Sequence, residues 1–194
     1  MKKLYGVTAA MITPFTENGR VDTESLAVLT DKLVKKGVHC LYPCGTTGEM
    51  VHLTENERKE IAETVVRAAD GRARVFIHCG AMRQEETESL LAHAFAAGAD
   101  GAGIVTPMFL GVDDREMTAY YKRLSSLVPA DFPLYLYNIP QCSGNDLNAS
   151  TVGRLAGECA NIIGIKYSFP DMLRTLDYLH IPCLLYTSPS PRDR

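Results

Sequence analysis

Short apolar runs alternate with helical patterns along this chain, and the runs end near Ile12, Cys44, Gly80, Thr106, Asn138 and Lys166. Their spacing is roughly thirty residues, the length of one strand–helix unit. The runs are apolar nearly throughout, as in Leu134-Tyr135-Leu136 and Ile162-Ile163-Gly164-Ile165. Strands of that kind are buried on both faces, which requires a parallel sheet covered by helices. Helix signals fill the intervals. Asp22 or Thr23 caps a helix that runs through Lys36 and stops at Gly37. Thr54-Glu55-Asn56-Glu57 has the spacing of a capping box, and Ile61, Val65, Val66 and Ala69 follow on one face. Further helices are predicted from about Glu85 to Ala97, from Asp113–Glu116 to about Leu127, from Asn148, and from Asp171 to about Leu179, the last with Pro170 in its first turn.

Two architectures satisfy such alternation, a doubly wound sheet and a (β/α)8 TIM barrel. No G-x-G-x-x-G follows the first strand, so a dinucleotide fold loses its main support. Polar residues instead gather at the C-terminal ends of several strands: Thr13, Thr46-Thr47, Tyr137-Asn138 and Lys166. In a barrel those ends converge on one mouth, where catalysis sits. The pattern favours the barrel. A complete barrel needs eight units and about 250 residues, whereas this chain has 194 residues and shows six strands, with room for the start of a seventh at residues 181–185. Residues 1–182 are therefore read as a partial barrel domain without strands seven and eight. Residues 183–194, which include the polar Pro/Ser-rich Tyr186-Thr187-Ser188-Pro189-Ser190-Pro191, are read as a non-native or disordered tail. An open barrel edge exposes apolar surface and unpaired strand groups, so the sequence predicts a poorly soluble or molten chain.

Net charge is −3 and no Lys/Arg block stands out, which argues against nucleic acid or an anionic membrane as partner. No run approaches a membrane span, and Met1-Lys2-Lys3-Leu4-Tyr5 does not open a signal peptide. The six cysteines, Cys40, Cys44, Cys79, Cys142, Cys159 and Cys183, form no C-x-x-C pair and meet no zinc spacing. They read as free, mostly buried thiols in a reducing cytoplasm. His39, His52, His78, His93 and His180 are scattered over five elements and read as structural, and Arg83 to Glu88 reads as the solvated start of the third helix.

Chemistry concentrates at three places. Ile162-Ile163-Gly164-Ile165-Lys166 sets one lysine at the end of a buried strand. Burial disfavours an ammonium ion, and a neutral amine can attack a carbonyl carbon to form a Schiff base. A lysine snorkelling to solvent satisfies the same pattern. Gly45-Thr46-Thr47-Gly48-Glu49 combines two glycines that permit a tight turn with two hydroxyl donors, which together suit a small carboxylate. A plain strand-to-helix turn explains these five residues equally well. Tyr137, before Asn138-Ile139-Pro140, points either into the barrel, where its phenol can exchange a proton beside the lysine, or toward the helices, and a plain core tyrosine satisfies the same pattern. Glu49 is read as packing near the turn rather than as an acid or base.

Taken in order, Thr13-Pro14-Phe15, the GTTGE segment, Thr106-Pro107, Tyr137-Asn138-Ile139-Pro140 and Gly164-Ile165-Lys166 resemble the dihydrodipicolinate synthase / N-acetylneuraminate lyase family of pyruvate-dependent class I aldolases, over residues 4 to about 182. The resemblance implies that Lys166 forms an imine with pyruvate, that Tyr137 relays protons, and that Thr46 and Thr47 hold the pyruvate carboxylate. It implies no metal and no organic cofactor, an aldehyde or 2-oxo acid as the second substrate, and a homotetramer when full length. Two departures bear on the substrate. Met108 and Phe109 stand where the synthase branch carries two tyrosines, and Gln141-Cys142-Ser143-Gly144 carries no arginine for a substrate carboxylate. The expected substrate is a 2-keto-3-deoxy sugar acid or sialic acid. The alternatives are 4-hydroxy-tetrahydrodipicolinate synthase, condensing pyruvate with aspartate semialdehyde, and a non-catalytic keto-acid-binding barrel or inactive fragment.

Overall fold

The computed structural model describes residues 6–182 and the backbone of residues 185–187. The chain divides into two compact units, one of residues 1–79 and 89–102, the other of residues 80–88 and 103–194.

The first unit opens with β1 (Thr8–Ala10), α1 (Thr23–Lys35) and β2 (Cys40–Tyr42) and continues through α2 (Glu55–Ala69) and β3 (Arg74–His78). The strands pair in parallel, Thr8 with Cys40 and Ala10 with Tyr42, then Cys40 with Arg74 and Leu41 with Val75. Every residue of β2 is buried, as a strand covered on both faces requires. The helices start where their caps say. Asp22 accepts from the Ser25 amide and hydroxyl, and Thr54 and Glu57 close the reciprocal box that opens α2. Gly37, at φ +80°, follows the end of α1 in a conformation that a side chain would strain. Leu26, Ile61 and Val65 are buried from the two helices.

α3 (Gln84–Ala96) and β4 (Gly101–Val105) contribute residues to both units. The second unit is completed by α4 (Asp114–Ser125), β5 (Leu134–Asn138), α5 (Pro140–Ser143), α6 (Ala149–Glu158), β6 (Ile162–Tyr167), α7 (Met172–Leu179) and β7 (Leu185–Thr187). The end of β4 meets β5 through the Thr106 amide, which donates to the Tyr137 carbonyl at 3.1 Å. β5 and β6 are parallel. Leu134 pairs with Ile162, the register slips by one, and from there Tyr135 pairs with Gly164, Tyr137 with Lys166 and Asn138 with Tyr167. The slip leaves Ile163 as an extra residue, a bulge that decides which residues of β6 face which side of the sheet. Met117, Tyr121, Leu124, Val152, Leu155 and Ile165 fill the core of this unit.

Three local expectations are revised. Pro170 lies before the N-cap Asp171 rather than inside the first turn of α7; Asp171 accepts from the Arg174 amide. The four-residue α5 has no counterpart in the expected elements, because a single turn carries no periodicity; Pro140 starts it and Gly144, at φ +77°, ends it. The seventh strand forms at Leu185–Thr187, parallel to β6, and so falls within the stretch read as tail.

Candidate active site

Tyr137 and Lys166 occupy paired positions at the ends of β5 and β6. Side chains at paired positions on adjacent parallel strands share a face and stand about 4.8 Å apart at their origins. The Lys166 amine accordingly lies 3.7 Å from the centroid of the Tyr137 ring. An ammonium over a phenol face is stabilised by the ring quadrupole, by about 0.5–2 kcal/mol. The same amine donates to the Ser168 hydroxyl at 2.7 Å. Ser168 sits two residues on, hence on the same face, and is almost fully buried. Its amide donates to the Asn138 carbonyl at 3.0 Å, and its carbonyl accepts from the Gln141 amide nitrogen at 2.7 Å. The amine is half-buried and Tyr137 is 2% exposed, so both groups sit at the margin of the apolar core.

The opposite face explains why Tyr137 points where it does. Asn138 and Tyr167, the next residue along each strand, turn toward α7. Tyr167 meets Tyr178 edge to face with ring centroids 5.1 Å apart. The Asn138 side-chain amide donates to the Tyr178 phenol at 2.9 Å and to Asp146 at 2.7 Å, and Arg174 pairs with Asp146 at 2.9 Å. The Tyr178 hydroxyl donates to the Leu147 carbonyl. Burial pushes the Tyr178 phenol up to about 12 and raises that of Tyr167 as well, so both serve as neutral packing groups. With this face committed to the helix, Tyr137 and Lys166 point away from it. That settles the direction of Tyr137, which the sequence alone leaves open.

Thr46 and Thr47 lie in the first unit, on the turn after β2, Thr46 exposed and Thr47 half-buried. The turn is closed by the Gly48 amide donating to the Gly45 carbonyl at 3.0 Å and the Glu49 amide to the Thr46 carbonyl at 3.1 Å. Thr13, from the Thr13-Pro14-Phe15 motif, donates its hydroxyl to the Gly48 carbonyl at 2.8 Å. A Cβ on Gly48 would stand 3.0 Å from the Met11 carbonyl oxygen and 3.1 Å from the Cys44 amide nitrogen, so a side chain there would crowd the backbone. Of the residues singled out in the sequence, the structure thus brings Tyr137 and Lys166 into contact and sets Thr46 and Thr47 together on one braced turn.

Ser168, which in Lys166-Tyr167-Ser168 resembles the sugar-acid branch, receives no catalytic or binding role from the sequence; its signal is its position two residues beyond the lysine. Gln141 was noted only as standing where an arginine is missing, yet its side chain holds the Ser168 carbonyl. Phe109 is 83% exposed at φ +74°, with its amide on the Ser143 carbonyl at 3.0 Å. Of the six cysteines, Cys40, Cys44, Cys79 and Cys159 are buried free thiols and Cys142 is exposed, while Cys183 lies outside the described residues.

Residues 3–184 match the dihydrodipicolinate synthetase family. The 4-hydroxy-tetrahydrodipicolinate synthase of Aquifex aeolicus is 38% identical over 169 residues, 87% of this chain and 56% of that protein. The probable 2-dehydro-3-deoxy-D-pentonate aldolase YjhH of Escherichia coli K12 is 35% identical over 178 residues, 91% of this chain and 58% of that protein. The crystal structure of YagE, a prophage protein of the dihydrodipicolinic acid synthase family from E. coli K12 in complex with pyruvate, superposes with a TM-score of 0.88 at 33% identity, covering 93% of this chain and 62% of that one. The chain thus spans a little under three-fifths of the length of the curated relatives it matches. Its repeated parallel strand–helix units form part of a (β/α)8 barrel. The chain belongs to the dihydrodipicolinate synthetase family, whose members include lyases of both the synthase and the aldolase kind.

Proposed function

We propose that this chain carries the imine-forming machinery of a pyruvate-dependent class I aldolase. One observation carries the reading: a lysine amine at a strand end, 3.7 Å from a buried phenol ring and 2.7 Å from a hydroxyl. Once neutral, the Lys166 amine attacks the ketone carbon of pyruvate to give a carbinolamine. Loss of water, with a proton delivered from the Tyr137 phenol, leaves the imine. That dehydration leaves the imine protonated and Tyr137 as phenolate; the protonated imine withdraws electrons, so the pyruvate methyl group gives a proton to the phenolate and becomes an enamine nucleophile. Addition to an aldehyde makes a carbon–carbon bond, and the reverse sequence cleaves a 4-hydroxy-2-oxo acid. The Gly45–Glu49 turn supplies hydroxyl and backbone donors, and Thr46 and Thr47 are assigned the pyruvate carboxylate.

The second substrate follows from what the strand-end loops lack. Gln141 and Cys142 are neutral, and Met108 and Phe109 bring no hydroxyl. A neutral polyhydroxy aldehyde, released from a 2-keto-3-deoxy sugar acid or sialic acid, suits such surroundings better than aspartate semialdehyde, whose carboxylate asks for a cation. The name of the YjhH relative supports this branch; that of the A. aeolicus relative supports condensation with aspartate semialdehyde, which stands second. We place the activity in the cytoplasm and in a homotetramer when full length, on the family resemblance and on the free thiols. Among the described residues no helix is long and apolar enough to cross a membrane.

Borohydride reduction in the presence of pyruvate, followed by peptide mass spectrometry, tests the proposal. It is run on this chain and on a version extended to the length of its relatives. A reduced pyruvyl adduct on Lys166 is expected. Absence of the adduct from both would sink the aldolase reading and favour a keto-acid-binding module. Aldehyde release from 2-keto-3-deoxy sugar acids, set against condensation with aspartate semialdehyde, then decides the substrate.

A further inference from the structure

A buried arginine and a buried histidine meet at the root of the Gly45–Glu49 turn, within the first unit. Arg58 is 2% exposed and His78 is fully buried. The Arg58 guanidinium donates from Nη2 to the His78 carbonyl at 2.8 Å and approaches His78 Nδ1 at 3.3 Å. His78 Nδ1 lies 2.9 Å from the Cys44 carbonyl oxygen. Chemistry assigns the proton. A carbonyl only accepts and a guanidinium only donates, so Nδ1 serves one of them and not both. The Cys44 contact is the shorter, and a bare Nδ1 lone pair 2.9 Å from a carbonyl oxygen would be repelled by it. Nδ1 therefore carries the hydrogen and donates it to Cys44.

The group so held is unusual. Cys44 adopts φ +59°, a left-handed conformation in which a residue with a Cβ is strained. Such strain persists only where the surroundings over-determine it, and it gathers at binding sites. The Cys44 thiol points to the Arg58 carbonyl at 3.8 Å, so side chain and carbonyl of this one residue are both engaged. Gly45 follows directly, its Cβ position 3.2 Å from the Tyr42 ring, and Thr46 and Thr47 come next.

We propose that His78 is a positioning residue for the carboxylate-binding turn: it fixes the Cys44 carbonyl, holds the left-handed bend, and so sets the direction in which Gly45, Thr46 and Thr47 present their donors. Arg58 acts one bond further out by fixing His78. This inference rests on the assignment of Thr46 and Thr47 to the pyruvate carboxylate.

The test measures how trapping of Lys166 depends on ligand concentration, for pyruvate and for methyl pyruvate, whose ester has no charge to place. It uses whichever form of the protein gives the Lys166 adduct. His78→Gln puts its amide nitrogen near the Nε2 position and loses the bond to Cys44, whereas His78→Asn puts one near Nδ1 and keeps it. His78→Gln is expected to raise the half-saturating pyruvate concentration about tenfold, the worth of one misaimed hydrogen bond to a charged group. It should leave methyl pyruvate unchanged, and His78→Asn should restore pyruvate affinity. Should His78→Gln fail to fold, Arg58→Lys carries the comparison, with an expected rise of about threefold for pyruvate alone. Equal losses for both ligands, or none, would overturn the positioning role. Absence of any pyruvate adduct in the unsubstituted protein would overturn the aldolase reading itself, and this inference with it.

Discussion

Lys166 and Tyr137 are placed by the sheet and not by their own side chains, since paired strand positions set both their spacing and their shared face. The hydroxyl of Tyr137 is therefore separable from its ring. Tyr137→Phe keeps the surface over which the Lys166 amine lies at 3.7 Å and removes only the hydroxyl, to which we assign the proton transfer. The expected outcome is an unchanged thermal midpoint and a rate of pyruvate trapping lowered by about 100-fold, the usual worth of a positioned acid–base group. Rapid-quench trapping with borohydride measures it, and an unchanged rate would remove Tyr137 from the proton relay. Ser168→Ala belongs beside it, because that hydroxyl accepts a hydrogen bond from the amine. A loss of about tenfold in the trapping rate is expected, again without loss of fold.

Helix starts are the most local feature of this chain, and they were legible for that reason. A cap needs only a side-chain oxygen and an amide three residues on. Asp22, Thr54, Asp113 and Asn148 all perform as their spacing predicts. Pro170 departs from this local logic, because the cap is Asp171 and the proline before it stands outside the helix. The bulge at Ile163 and the Arg58–His78 contact were not legible, because each depends on partners some twenty or more residues away, the first in β5 and the second across the turn. The capping box of α2 gives a test at this scale. The Thr54 amide and hydroxyl both donate to Glu57 Oε2 at 2.8 Å, and the backbone bond first, then the hydroxyl, holds the Glu57 carboxyl below its ordinary value of 4.5. A lowered carboxyl contributes stability that is present above its unfolded value and is lost as pH falls through the folded one. Thr54→Ala should cost about 1 kcal/mol near neutral pH. In urea titrations the deficit should narrow as pH drops below 4.5, toward that of a helix without the box.

At the scale of the whole molecule, two expectations oppose each other, and the cysteines decide between them. A barrel sheet with an open edge is expected to leave the chain molten, while the structure closes Cys40, Cys44 and Cys79 off from solvent. Burial raises their thiols to about 12, 11 and 12 respectively. The thiolate is the reactive form, so a packed chain should leave all three inert to iodoacetamide through pH 9, where an ordinary thiol reacts freely. Cys142 is exposed and should alkylate within minutes. In a molten chain, transient opening would equalise the rates, because every thiol would return to the ordinary range whenever it reached water. Peptide mass spectrometry after a timed alkylation pulse reads each cysteine separately. Fast labelling of Cys142 with slow labelling of Cys40, Cys44 and Cys79, the contrast abolished in urea, is the outcome the packing predicts. Comparable rates at all four would mean that this core opens readily in solution. Cys44 carries extra weight in this experiment. Its carbonyl is the group held by His78, so protection of its thiol also reports that the turn bearing Thr46 and Thr47 keeps its shape without ligand.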